Sequence, residues 1–263
     1  MYREEYLYRV KIQQALRYFL ECAFKGTAYH GWQKQPDATS VQKRLEEALT
    51  LLLGDTTEIT GAGRTDAGVH AHQMYAHFDA AEDLDRQDLE HRLNRFLPED
   101  IVVKGVWKLH EEAHARFDAT ARAYRYRIVQ KKDPFEAEWA HRVHLPLDVE
   151  AMNKAASLLL GQRDFQCFSK SKTDVKTYIC DLRQAEWKRE GEVLVFSIEA
   201  DRFLRNMVRA VVGTLLEVGL QKKSPESVLE VLEAKDRSQA GVSVPAKGLS
   251  LVSIRYPYSD QLR

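Results

Sequence analysis

Two stretches of this 263-residue chain, Leu182–Glu190 and Val193–Ala200, alternate apolar and polar residues and meet at Glu190-Gly191. That is the pattern of a β-hairpin, with a glycine at the turn and one buried face per strand. A hairpin commits the sheet to antiparallel pairing. Other segments that read as strands are 17–25, 56–60, 73–78, 101–109, 121–130 and 249–256. Helices are predicted between them. Ser40 N-caps one that carries Val41, Leu45, Ala48, Leu49 and Leu52 on one face and closes at Gly54. A second, 86–96, ends before Pro98, and Asp148 caps a third that ends near Gly161. Leu204, Met207, Val208, Val211, Val212 and Leu215 mark a fourth, and Ser224 caps a fifth. The order predicts an α+β fold of two mixed α/β halves with antiparallel sheets, not a doubly wound parallel one. The expected division is an N-terminal extension 1–18, a domain 19–115 and a domain 116–263. No Pro/Gly/Ser-rich linker marks the boundary, so the halves are expected to pack tightly.

Bulk properties exclude several classes. With 44% hydrophobic and 30% charged residues the chain reads as globular and not disordered. No apolar run approaches the roughly 18 residues that span a bilayer. Met1–Tyr18 lacks an apolar signal-peptide core, so a cytoplasmic location is expected. Cys22, Cys167 and Cys180 are few and far apart, which suits reduced core thiols better than disulfides or a zinc ribbon. The 39 basic residues balance the 39 acidic ones, so any contact with nucleic acid must come from local patches.

The most unusual stretch is Gly61-Ala62-Gly63-Arg64-Thr65-Asp66-Ala67-Gly68. Its glycines let the backbone turn sharply and approach a ligand. A dinucleotide fingerprint would need a glycine where Asp66 stands, and a P-loop would need Gly-Lys-Ser/Thr. The loop therefore displays Asp66 and Arg64. On residue chemistry alone, an aspartate here is more often a turn or cap residue than a functional one.

This loop resembles the signature loop of the tRNA pseudouridine synthase A family, whose aspartate is the nucleophile. Further motifs resemble the same family in the same order. They are Tyr29–Gln35 with Ser40-Val41-Gln42; His114-Ala115-Arg116-Phe117 with Ala121–Tyr126; Phe203–Arg209 with Gly213; and Gly248–Val252 followed by Tyr256. Phe24-Lys25-Gly26 and Thr177-Tyr178-Ile179 depart from the family pattern.

The resemblance implies the pseudouridine synthase fold, with an active-site cleft between the halves. It implies a homodimer acting on the anticodon arm of tRNA, with uridines at tRNA positions 38, 39 and 40 isomerised. Asp66 is then the catalytic nucleophile, and no cofactor or metal is expected, because the reaction is neither redox nor phosphoryl transfer. Arg209 is implied as the partner that keeps the carboxylate charged. The spacing of Arg202, Arg205 and Arg209 predicts one helical stripe. Tyr124 is implied as the ring that stacks on an extruded uracil or moves a proton. Without the resemblance, Tyr124 and Tyr126 are more often core-packing strand residues. Arg64 is expected to fill the space the base leaves or to hold its phosphate.

His70, His72 and His77 invite a metal reading, but no matched cysteine or carboxylate completes a ligand set. Two basic clusters, Arg122/Arg125/Arg127/Lys131/Lys132 and Lys170/Lys172/Lys176, are candidates for backbone phosphates, although such runs are more often solvated faces. Rival readings are a non-catalytic RNA-binding module and a glycoside-cleaving enzyme. The second would need two flanking carboxylates.

Overall fold

The computed structural model describes residues 15–170 and 175–262. Most of the expected N-terminal extension, and Lys172 of the second basic cluster, lie outside the described residues. Ten strands form: β1 Leu16–Phe24, β2 Thr60–Gly61, β3 His70–Ala80, β4 Ile101–Leu109, β5 Ala121–Val129, β6 His141–Arg142, β7 Gly161–Asp164, β8 Ile179–Glu190, β9 Val193–Ala200 and β10 Leu249–Arg255. The helices are α1 Val41–Leu53, α2 Arg86–Phe96, α3 Val149–Ser157, α4 Met207–Gly219 and α5 Ser227–Ala234. None of the described helices is long and apolar enough to cross a membrane.

The fold is α+β, and its sheets join into one. The strand order is β4-β1-β3-β10-β5-β9-β8-β7, with β2 beside β3 and β6 beside β5. The C-terminal strand β10 is the joint: it runs antiparallel to β5 and parallel to β3. The β3–β10 ladder has only two aligned pairs, Ser250 with His70 and Leu251 with Ala71. A short ladder leaves a seam in the sheet, and β3 enters that seam at its first residue.

One apolar core lies on each side. The N-terminal core gathers Tyr18, Phe19, Trp32, Leu45, Leu49 and Phe78, and the C-terminal core gathers Phe165, Phe168, Phe196, Val211 and Leu215. The chain's end crosses the seam: Leu249 packs in the C-terminal core, whereas Leu251, Ile254 and Tyr256 pack in the N-terminal one.

Local signals placed most elements. The Ser40 hydroxyl accepts from Lys43 N–H, Gly54 closes α1 at φ +80°, and Asp148 caps α3. Three expectations fail for identifiable reasons. Residues 56–59 form no strand, because α1 side chains take the backbone of Ile59: its N–H donates to Glu46 Oε1 and its carbonyl accepts from Gln42 Nε2. Ser224 is not a cap; α5 starts at Ser227, whose hydroxyl donates to the Ser224 carbonyl. Helix α4 starts at Met207, after Asn206 turns to φ +66°, so Arg202 and Arg205 precede it and share no stripe with Arg209.

The segment 110–118 is caged by side chains from elsewhere. Ala115 N–H donates to His77 Nδ1 at 3.1 Å, and its carbonyl accepts from the Tyr256 hydroxyl at 2.6 Å. Asp118 Oδ2 accepts from His114 N–H and from the Tyr258 hydroxyl. Arg17 donates to the Ala113 carbonyl.

His77 makes this cage pH-sensitive. Burial, then the charge of Arg17 and the neighbouring His114, push its pKa down to about 4. Below roughly pH 6.5 the unfolded chain binds a proton that the folded chain refuses, so stability falls as pH drops toward the folded value. The loss between pH 7 and pH 5 is on the order of 2 kcal/mol from this group. Burial also lowers His70, His72, His114 and His141, which act in the same direction. Urea unfolding at the two pH values should show that loss in the wild type and a shallower one in His77→Gln. Equal slopes would remove His77 from the account.

Candidate active site

The loop 62–69 leaves β2 and enters β3 at the seam. Its start is fixed by Ala62 N–H donating to the Tyr75 carbonyl at 2.8 Å. Its tip is a turn closed by Val69 N–H donating to the Asp66 carbonyl at 3.1 Å, with Gly68 at φ +80°. Residues 26–32 form its backing. Trp32 N–H donates to the Thr65 carbonyl, Gly68 N–H to the Tyr29 carbonyl, and Gly26 N–H to His70 Nδ1. The approach is close enough to demand glycine. A Cβ on Gly26 would lie 2.0 Å from the Val69 carbonyl oxygen, and one on Gly31 2.3 Å from that of Thr65. The Tyr29–Gln35 segment and the Asp66 loop are therefore one structural unit.

Arg209 meets this loop from α4, in the other half. Its Nη1 donates to Asp66 Oδ2 at 3.0 Å. Its Nε donates to the Val244 carbonyl at 2.8 Å, and Val244 N–H returns a bond to the Arg209 carbonyl. Two bonds to one guanidinium fix its plane as well as its charge. Val244 is held because its segment lies directly on α4: a Cβ on Gly213 would sit 1.9 Å from the Val242 carbonyl oxygen. Arg237 binds the Ala240 and Gly241 carbonyls and the Ser243 hydroxyl, and Asn206 also donates to Ser243. The side chains of Asp66 and Arg209 are 27% and 21% exposed, so the pair is partly open to solvent and not sealed in a core. Among the described residues, Asp66 Oδ1 has no hydrogen-bond partner.

Tyr124 lies on β5, one strand beyond β10. Its ring meets Phe203 edge-on at 5.2 Å, and burial, reinforced by the Asp66 charge and opposed by that of Arg122, pushes its phenol up to about 12. The hydroxyl is therefore protonated near neutral pH. Arg64 is exposed and donates to Gln33 Oε1 at 3.2 Å, and Gln33 in turn holds Gln42. The structure thus places Asp66 and Arg209 in direct contact, with Tyr124 near enough to feel the Asp66 charge. Arg64 stands on the same loop as Asp66, turned to solvent.

Four members of the first basic cluster have partners within the protein, and Lys132 is exposed without a salt bridge among the described residues. Arg125, Arg127 and Lys131 pair with Glu190, Glu136 and Glu192. Arg122 points inward, and its guanidinium donates to the carbonyls of Ala62, Arg116, Ala119 and Asp201. It is a brace between the Asp66 loop and the segment that leads to α4. Arg122 in this role, and Val244 and Arg237 behind Arg209, escaped the sequence reading. Alternation along 121–126 does put Arg122 on the face of Tyr124 and Tyr126, and that is the signal that could have found it. His70 and His77 use Nδ1 to accept backbone N–H groups, from Gly26 and Ala115. No group of three or more potential metal ligands occurs among the described residues.

Comparison with known proteins identifies the family. The family model described as tRNA pseudouridine synthase matches residues 22–118 and 155–257, which take in the Asp66 loop and Arg209. The tRNA pseudouridine synthase A of Bacteroides fragilis is 52% identical over 243 residues, covering 92% of this chain and 96% of that protein. That of Bacteroides thetaiotaomicron is 53% identical over 244 residues, covering 92% and 91%. That of Geobacter sp. strain M21 is 41% identical over 237 residues, covering 89% and 96%. The chain belongs to the tRNA pseudouridine synthase family, and it is an isomerase that converts uridine to pseudouridine in tRNA.

Proposed function

We propose that this enzyme isomerises uridines at positions 38, 39 and 40 in the anticodon stem-loop of tRNA, with Asp66 as nucleophile and without a cofactor. The observation that carries the reading is the pairing of Asp66 and Arg209 across the seam, which leaves Oδ1 without a partner among the described residues. A nucleophilic carboxylate needs one oxygen held and one available, and this contact provides both. The reaction breaks the bond from C1′ to N1 and forms one from C1′ to C5. C5 gives up a proton and N1 gains one, so no oxidant, reductant or phosphoryl donor is consumed.

Each neighbour has a place in that sequence. Arg209 orients the carboxylate and stays fixed through Val244 while charge on Asp66 changes. Tyr124 offers a ring for the extruded uracil, and Phe203 holds that ring edge-on. Arg64 lies at the rim, tethered only through Nε, with its terminal nitrogens unpartnered among the described residues and free for a phosphate or for the gap the base leaves. The enzyme works in the cytoplasm as a homodimer, in which one subunit holds the body of the tRNA and the other presents its cleft. The halves 19–115 and 116–263 act as the two walls of that cleft.

The first test is pseudouridine formation in unmodified tRNA bearing anticodon-arm uridines, with no added metal or nucleotide. Asp66→Ala should lose at least about 10⁴-fold in rate while still binding RNA. Arg209→Lys cannot serve Asp66 and Val244 together and should lose about 10- to 100-fold. Binding without product in the wild type would favour the non-catalytic module, and full activity in Asp66→Ala would discard the nucleophile. Light scattering on the active enzyme should give the mass of two chains; a fully active monomer would end the dimer reading.

A further inference from the structure

We propose that Phe117, beside Arg116, is a fixed stacking platform for a base of the RNA near the extruded uridine; this rests on the tRNA reading above. Phe117 is 74% exposed, although it is a large aromatic side chain. Exposure alone assigns no role, and Leu51, Phe96, Phe135 and Val242 are exposed too. Three further observations single out Phe117.

The ring is held although it is exposed. His114 lies against it at 4.2 Å with a 31° tilt, and His77 supports His114 at 4.6 Å. His114 Nδ1 accepts the N–H groups of both Arg116 and Phe117. The backbone before and after is tied by His77, Tyr256, Asp118 and Arg122. The ordering that a stacking contact usually costs has been met in the free protein.

The chemistry beside the ring suits a nucleotide. The Arg116 guanidinium carbon is 5.6 Å from the centre of the Phe117 ring. Arg116 is exposed and forms no salt bridge among the described residues. One fixed ring with one unpaired cation takes a base and its phosphate together.

The position is next to the reaction. A single nitrogen, Arg122 Nη2, donates to the carbonyls of Arg116 and Ala62, each at 2.9 Å. The platform segment and the Asp66 loop are thus pinned to the same atom, and a base stacked on Phe117 would sit beside the mouth of the cleft.

The test uses a labelled anticodon stem-loop RNA. Its Kd is measured by anisotropy, and single-turnover pseudouridine formation is followed at saturating enzyme. Phe117→Ala and Phe117→Leu should each weaken Kd about tenfold. Phe117→Tyr should stay within about threefold. The saturated rate and the urea midpoint should not move, since the ring is exposed and touches no reacting atom. Arg116→Ala should lower the slope of log Kd against log salt by about one. Wild-type Kd in Phe117→Leu would overturn stacking, and so would unchanged Kd in Phe117→Ala. Loss of self-association in Phe117→Ala with RNA affinity intact would give the ring to a second copy of the chain instead. If the wild type made no pseudouridine but Phe117→Ala still weakened binding, the reaction assignment would fall and the platform would stand.

Discussion

The contact between Asp66 and Arg209 sets the conditions that the rest of the fold meets. An unpaired carboxylate in a cleft that takes RNA would repel the phosphates it must approach, and an arginine buried without a partner would be costly. Together they form a neutral pair that is specific in direction. The two residues stand 143 positions apart and on different halves. Holding them at 3.0 Å therefore requires a rigid link between the halves. Strand β10 provides it by pairing with β3 on one side and β5 on the other while splitting its side chains between two cores.

Both members of the pair are stiffened from behind in the same way. The Asp66 loop rests on Gly26 and Gly31, and α4 rests on Val242 through Gly213. In each case two backbones come closer than any side chain would permit. Main-chain hydrogen bonds then do the positioning, and these vary less than contacts between flexible side chains. Arg122 adds a brace between the Asp66 loop and the segment that leads to α4, with four carbonyls and no carboxylate as its hydrogen-bond partners. Carbonyls satisfy the guanidinium without adding a charge.

Much of this was legible in the sequence because it depends on local rules. Ser40, Gly54 and Asp148 act where their neighbours predict. The hairpin at Gly191 and the α+β order follow from alternation alone. What was not legible depends on distant partners. Ile59 reads as a strand residue, but Gln42 and Glu46 of α1 take its backbone groups. Arg202 and Arg205 share a helical spacing with Arg209, yet a left-handed Asn206 delays the helix past them. That turn is supported by Ser243 and Arg237, more than thirty residues downstream. Asp66 itself was visible only through resemblance, since nothing in a glycine-rich turn says that an arginine from another half will meet it.

The zero net charge is consistent with an RNA substrate once the ion pairs are placed. Several basic residues are paired with their own neighbours: Arg125 with Glu190, Arg127 with Glu136, Lys131 with Glu192 and Lys154 with Glu226. Arg64, on the Asp66 loop, and Arg116, tied to that loop through Arg122, have no carboxylate partner among the described residues. Part of the basic charge is thus cancelled locally, while these two arginines keep theirs. A molecule with a uniformly basic surface would bind any RNA by counterion release and would release its product slowly. On the reading proposed above, affinity also depends on a nucleic acid that can present a base to Asp66 and lay its backbone across Arg64. Recognition then rests on the shape of the RNA and its capacity to unstack, which is what a base-modifying enzyme has to measure.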